Sequence, residues 1–241
     1  MQNKETEMIV KRFYKDAGVD ARDGAFAILL DGKPVKTPRR EMLAVPSQTL
    51  ADAIAREWHM QGKVVALDTM PLTRLAHGAI DGASHRARLI GEAMNYARSD
   101  LLCYRAEMPA ALTARQARDW NPLLDWARTE LGASLATTKG IKHIEQSADA
   151  LTALETRLNA LDDYALVATN AAIAILGSAV LGLAMTLGRL KPAEAFALSR
   201  LDESFQAEKW GTDAEAQTRA DRLLADLEAA GRFIRLASAQ A

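Results

Sequence analysis

Residues 26–35 read Phe-Ala-Ile-Leu-Leu-Asp-Gly-Lys-Pro-Val, and this stretch decides the fold of the front of the chain. An apolar run meets Asp31-Gly32 and is followed by a shorter extended piece, Lys33-Pro34-Val35. Asp-Gly between such runs is a strong hairpin signal, because a type I′ turn needs positive φ at both central residues. Upstream, Ile9-Val10 leads into Phe13-Tyr14, so residues 8–46 are expected to be strands. Pro34, Pro38 and Pro46 suit strand ends or an edge strand, where a missing N–H removes no ladder bond.

From Ser47 onward the pattern turns helical. Ser47 can cap a helix running through Glu57 and Trp58, with Gly62 as its stop. Val64-Val65-Ala66-Leu67 can return to the sheet. Pro71 opens a helical stretch to about residue 97, with a break expected near Gly82–Ser84. Asn121-Pro122 reads as a cap and first turn, Gly132 as the end of that helix, and Ser147 as the next cap. Pro192 starts a helix reaching Trp210 and stopping at Gly211. Thr212-Asp213-Ala214-Glu215 reads as a capping box for a last helix ending at Gly231. The fold class expected is α+β: a small β-rich N-terminal domain with one helix (1–75), then a larger all-helical C-terminal domain (76–241).

Composition excludes several classes. Among 241 residues, 30 basic and 31 acidic side chains give a formal net charge of -1, without the basic surplus of a nucleic-acid binder. The single cysteine, Cys103, excludes an intrachain disulfide and a cysteine-rich zinc site. Between Leu102 and Tyr104 it reads as a buried small hydrophobe. The opening Met-Gln-Asn-Lys-Glu-Thr-Glu has no apolar run and two early acids, so neither a secretory signal nor a mitochondrial presequence is expected. A cytoplasmic protein, or a processed matrix protein, fits. Tyr164–Gly188 carries no charge and is long enough to span a bilayer. Its small residues, its Thr169, Asn170, Ser178 and Thr186, and its lack of flanking basic or aromatic belts favour a buried central helix, with no membrane insertion.

No catalytic constellation is visible. His59, His77, His85 and His143 pair with no acid or Cys at a metal-ligand spacing, and no Gly-rich phosphate loop follows a strand. No metal site is therefore expected. One helix face does stand out. On residues 192–210, Leu198, Leu201 and Phe205 form a core stripe, while Ser199, Glu203, Gln206 and Trp210 recur by four, three and four along a second stripe. That second stripe is either a solvated face whose Trp folds back at the helix end or a recognition face. In the second case the Trp supplies contact area and the acid and amide supply directional contacts. Trp58, next to Glu57, is a further candidate. Arg115, Arg118, Trp120 and Trp126 read as packing covered by Arg stems.

These segments also carry a resemblance. Lys11-Arg12-Phe13-Tyr14, Lys36-Thr37-Pro38, Val45-Pro46-Ser47, Glu57-Trp58-x-x-Gln61 and Met70-Pro71-Leu72-Thr73 are its first pieces. It continues in Asp100-Leu101-Leu102-Cys103-Tyr104-Arg105 and Trp120-x-Pro122-Leu123-Leu124-x-Trp126. It ends in Leu198-Ser199-Arg200-Leu201-Asp202-Glu203-x-x-Gln206-x-x-Lys209-Trp210-Gly211. In this order they resemble the assembly chaperones that act on the α subunit of the ATP synthase catalytic head. The resemblance implies a β-rich domain followed by a helical one, no cofactor, no catalysis and a monomer that binds the α subunit. It implies a functional acid matching Glu203, with Asp202 as the neighbouring alternative, and a sensitive position at Trp58. His77 departs from the family pattern, where Asn is expected. An enzyme with an unmotifed interdomain cleft using Glu203 as a base remains the alternative; a raised carboxyl pKa in a deep apolar pocket would favour it.

Overall fold

The computed structural model describes residues 10–82 and 85–239. The fold is α+β, with short strands near the N-terminus and helices after them. The chain divides into two compact units, Met1–Asp81 with Arg235–Ala241, and Gly82–Ile234.

In the first unit, β1 (Val10–Lys11), β2 (Ala17–Arg22), β3 (Ala25–Leu30), β4 (Lys33–Pro34) and β5 (Ala44–Val45) precede α1 (Gln48–His59), β6 (Val64–Val65) and α2 (Pro71–Gly82). Strand β3 is central, flanked by β2 in the register Val19↔Ile28 and by β4 and β5 through Leu29↔Pro34 and Phe26↔Val45. Its Ala27 and Ile28 are fully buried beneath α1, which lies across β2 and β3. The expected Asp31-Gly32 turn is present, with φ of 47° and 76°. A second Asp-Gly turn, Asp23-Gly24, joins β2 to β3 with φ of 49° and 80°. Strand β2 lies inside the expected strand region, although Ala-Gly-Val-Asp-Ala-Arg has one large apolar residue and no clear alternation of its own. Strand β6 pairs with β1 in a separate two-stranded sheet rather than returning to the main one. Positions 8 and 9 of the expected strands lie outside the described residues.

Ser47 caps α1 as expected, accepting from the Leu50 N–H at 3.2 Å. The helix ends at a right-handed Met60, so Gly62 is not its stop. The Glu57 carboxylate then caps α2: it accepts from the backbone N–H groups of Leu72 and Thr73 and from the Thr73 hydroxyl, each at 2.8 Å. A carboxylate on the free N–H groups of a first turn is favoured by hydrogen bonding and by the helix dipole.

The second unit holds α3 (Arg86–Arg98), β7 (Tyr104–Arg105), α4 (Ala110–Trp126), β8 (Thr138–Lys139), α5 (Ala148–Asn159), α6 (Asp163–Leu176), α7 (Ala179–Thr186), α8 (Pro192–Ser199), α9 (Leu201–Trp210) and most of α10 (Ala214–Ala237). Residues 83 and 84 of the expected break between α2 and α3 lie outside the described residues. Four readings of the sequence are corrected. The expected helix start at Asn121-Pro122 is absent: α4 runs through both, holding Pro122 at an exposed interior position, and continues as a π-helical turn, Ala127–Leu131, to Gly132. The uncharged run over 164–188 is a helical hairpin rather than one central helix. Gly177, at φ 65°, ends α6, and the Ser178 hydroxyl accepts from the Leu181 N–H to start α7. No described helix is long and apolar enough to cross a membrane. The last helix is capped by Asp213, whose carboxylate accepts from the Ala216 N–H, one residue later than the Thr212 box, and it passes through Gly231 to Ala237.

The core of this unit closes around α6 and α7. The segment Leu101–Cys103 is held by Asp100, whose carboxylate accepts from the Ser178 hydroxyl at 2.7 Å and from the N–H groups of Leu102 and Val180 at 3.0 and 3.1 Å. Complete burial nevertheless pushes the Asp100 carboxyl up to about 6. Cys103 is fully buried as expected, and burial with the nearby Asp100 charge pushes its thiol up to about 12, leaving it an unreactive thiol at neutral pH.

Candidate functional site

The predicted recognition helix is two helices. After Pro192, α8 runs only to Ser199. The Ser199 hydroxyl bonds back to the Phe196 carbonyl at 2.8 Å, and Arg200 leaves helical geometry at φ -104°, ψ 19° before α9 begins. A Ser that bonds to a carbonyl of the preceding turn competes with the helical ladder. The break shifts the phase of the stripe, so the expected continuous face from Ser199 to Trp210 does not exist. Ser199 is buried.

Glu203, Gln206 and Trp210 all lie on α9, and the structure does bring them together. They line an open groove of about 800 Å³ bounded by α8, α9, the Gly211–Asp213 turn and the start of α10. Arg200 sits at its edge, 3.0 Å from the Glu203 carboxylate. Trp210 is 78% exposed, against 7% for Trp58 and 0% for Trp120. It stands at the α9 terminus because Gly211, at φ 83° and ψ 172°, turns the chain sharply where a side chain would be strained. Leu201 is buried and Phe205 half-buried, with the Lys209 ammonium 4.4 Å from the Phe205 ring centroid. An ion pair, Arg115 to Glu208 at 2.6 Å, ties α9 to α4. The opposite face of α9 is thus anchored while Glu203, Gln206 and Trp210 stay outward.

Asp202 and Trp58 have other surroundings. Asp202 is half-buried and accepts a hydrogen bond at 2.8 Å from the Gln116 amide, whose oxygen accepts from the Ala106 N–H. Asp202 therefore locks α9 onto α4. Trp58 is a core residue of the first unit, edge-on to Tyr14 at 5.8 Å between centroids, and its own carbonyl accepts the Tyr14 hydroxyl at 2.7 Å. At 7% exposure it serves the core of the first unit. The neighbouring motif residues are scaffold as well. The Gln61 amide bridges the Glu57 carbonyl and the Ala66 N–H, and the Arg12 guanidinium donates to the Gln61 and His59 carbonyls. His77 is half-buried; its Nε2 lacks a partner, and burial lowers its pKa.

Fold and groove define the class first: an α+β protein whose helical unit carries an open groove with an exposed aromatic beside an acid and an amide. Comparison with known proteins then gives the family. The family model described as ATP12 chaperone protein matches residues 11–128. Mitochondrial atp12 of Schizosaccharomyces pombe is 26% identical over 220 residues, covering 86% of this chain and 75% of that protein. Among solved structures, Atp12 from Paracoccus denitrificans is 40% identical with a TM-score of 0.89, covering 95% of this chain and 98% of that one. The Atu1473 protein from Agrobacterium tumefaciens is 42% identical, also with a TM-score of 0.89, over 95% of this chain and 86% of that one. The chain belongs to the ATP12 chaperone family.

Proposed function

We propose that this protein binds the unassembled α subunit of the ATP synthase catalytic head and releases it to its assembly partners. The α8–α10 groove is the contact surface in this reading, with Trp210 as anchor and Glu203 and Gln206 as directional contacts. The observation that carries it is the exposure of Trp210. A large aromatic left 78% exposed beside an acid and an amide is the composition of an interface hot spot. An isolated subunit exposes surfaces that its neighbours later cover, and such patches associate wrongly unless shielded. The protein acts as a monomer in the cytoplasm, without cofactor or catalysis.

The enzymatic alternative needs Glu203 in a deep apolar pocket. Its side chain is instead 50% exposed and paired with Arg200, in an open groove, which favours the binding reading. The test is co-expression with α and β subunits. We expect α, and not β, to co-purify with the wild-type chain, and Glu203→Lys to reduce recovery of α at least tenfold while the variant keeps its unfolding midpoint. Capture of β alone would overturn the choice of partner. Undiminished capture by the variant would remove Glu203 from the contact.

A further inference from the structure

A second, smaller cavity lies in the helical unit, away from the α8–α10 groove. It has a volume of about 290 Å³ and is lined by Arg105, Thr113, Ala117, Asn121, Thr137, Thr138 and Lys139. The lining holds two cations, three hydroxyls and one amide, and no carboxylate. Strand pairing puts the two cations together. Strands β7 and β8 are parallel with Arg105 opposite Lys139, so both side chains leave the same face of the ladder. Like charges at directly opposed positions repel. Among the described residues, neither forms an ion pair.

Arg105 is the one buried residue of the lining, 9% exposed. Its Nε donates to the Leu102 carbonyl and its Nη1 to the Gln116 carbonyl, both at 2.9 Å, while Nη2 has no acceptor. The guanidinium carbon lies 5.2 Å from the Trp120 ring centroid, a favourable contact that supplies no acceptor oxygen. Asp202 is close enough to act on Arg105 electrostatically, yet burial still dominates and holds the guanidinium below its ordinary pKa. The Arg105 hydrogen bonds go to backbone carbonyls rather than to a carboxylate. Nη2 is closed to solvent, so an anion at Lys139 and the threonines would act on Arg105 through its field at short range.

We propose that this cavity binds a phosphate group, held by Lys139 with the hydroxyls of Thr137 and Thr138 and the Asn121 amide, and charge-balanced by buried Arg105; the Thr113 hydroxyl already donates to the Ala106 and Pro109 carbonyls. Its size suits an inorganic phosphate or the phosphate end of a small ester, and lies below that of ordinary cofactor sites. The proposal is independent of the α-subunit reading, since no lining residue belongs to the α8–α10 groove.

The test is isothermal titration calorimetry of the full chain with inorganic phosphate and, separately, with AMP, each against a matched chloride titration. Lys139→Gln is the principal variant, because Arg105 substitutions disturb the core. Phosphate is expected to bind with a Kd below about 1 mM. Lys139→Gln should weaken it at least tenfold without changing the unfolding midpoint measured in chloride, and Thr138→Val should weaken it further. Binding of phosphate alone identifies the free ion, and tighter binding of AMP identifies an ester; either supports the site. No heat above the chloride control, or equal affinity in wild type and Lys139→Gln, overturns it.

Discussion

Asp100 shows how much one buried side chain can weigh. Hydrogen bonds from Val180, Ser178, Leu102 and Ala179 hold its carboxylate, but complete burial outweighs them and moves the carboxyl from 3.8 to about 6. An acid whose pKa is raised by folding binds its proton more tightly in the folded chain, so it disfavours folding once the pH rises past the unfolded value. Below about pH 4 both states are protonated and there is no penalty. Between about 4 and 6 the penalty grows, and above that it is complete, at ~3 kcal/mol. The stability of wild type relative to Asp100→Asn should therefore fall by roughly that amount between pH 4 and pH 7, measured by urea unfolding at several pH values. A pH-independent difference would show that the carboxyl is not raised. Residues of this kind sit in the quoted motifs, yet the motifs do not say which are buried. Trp58 and Trp210 are both near helix ends and next to polar residues, and sequence reading weighed both as contacts. Only the fold separates them, since Trp58 meets Tyr14 whereas Trp210 is left exposed.

Helix starts with a polar cap were legible and helix interiors were not. Ser47, Ser147 and Pro192 mark observed starts because their signals are local. Pro122 misled because a proline is best tolerated in a first turn, whereas this helix carries it at an exposed interior position. The run over 164–188 hid its turn because alanine, glycine and leucine give no amphipathic contrast at which to see a break. The tertiary reason for that composition is Gly182. A Cβ there would overlap the Ile173 side chain and lie 3.3 Å from its backbone nitrogen, so α6 and α7 approach more closely than a Cβ at this position permits. Gly182→Ala should destabilise the helical unit by about 1–3 kcal/mol, despite alanine's better helix propensity. Ile173→Ala, which opens a cavity alone, should recover part of the loss when combined with Gly182→Ala. A double-mutant cycle from denaturant midpoints reads the coupling, and strict additivity would mean that the helices separate instead of clashing.

At the scale of the whole chain, the first unit is discontinuous: Met1–Asp81 is completed by Arg235–Ala241. A linear reading of composition gave β-rich residues followed by helical ones and had no means of joining residues nearly two hundred positions apart. The join is made at the cap of α1. The Ser47 hydroxyl accepts from the Leu50 N–H and donates to the Leu236 carbonyl at 2.5 Å, and Thr49 donates to the same carbonyl at 3.3 Å. Losing the Leu236 acceptor removes hydrogen bonds worth about 0.5–1.5 kcal/mol each. Truncation after Ile234 should therefore act on the first unit from outside its continuous sequence. Amide hydrogen exchange separates the outcomes by location. Amides of Gln48–His59 and of the β2–β3 hairpin should exchange roughly tenfold faster or more in the truncated chain, since about 1.4 kcal/mol of local stability corresponds to a factor of ten. Amides of α6 and α7 should be unchanged. Equal acceleration in both sets would mean that the two units unfold as one. Unchanged exchange over Gln48–His59 would mean that the last residues contribute nothing to the unit they complete.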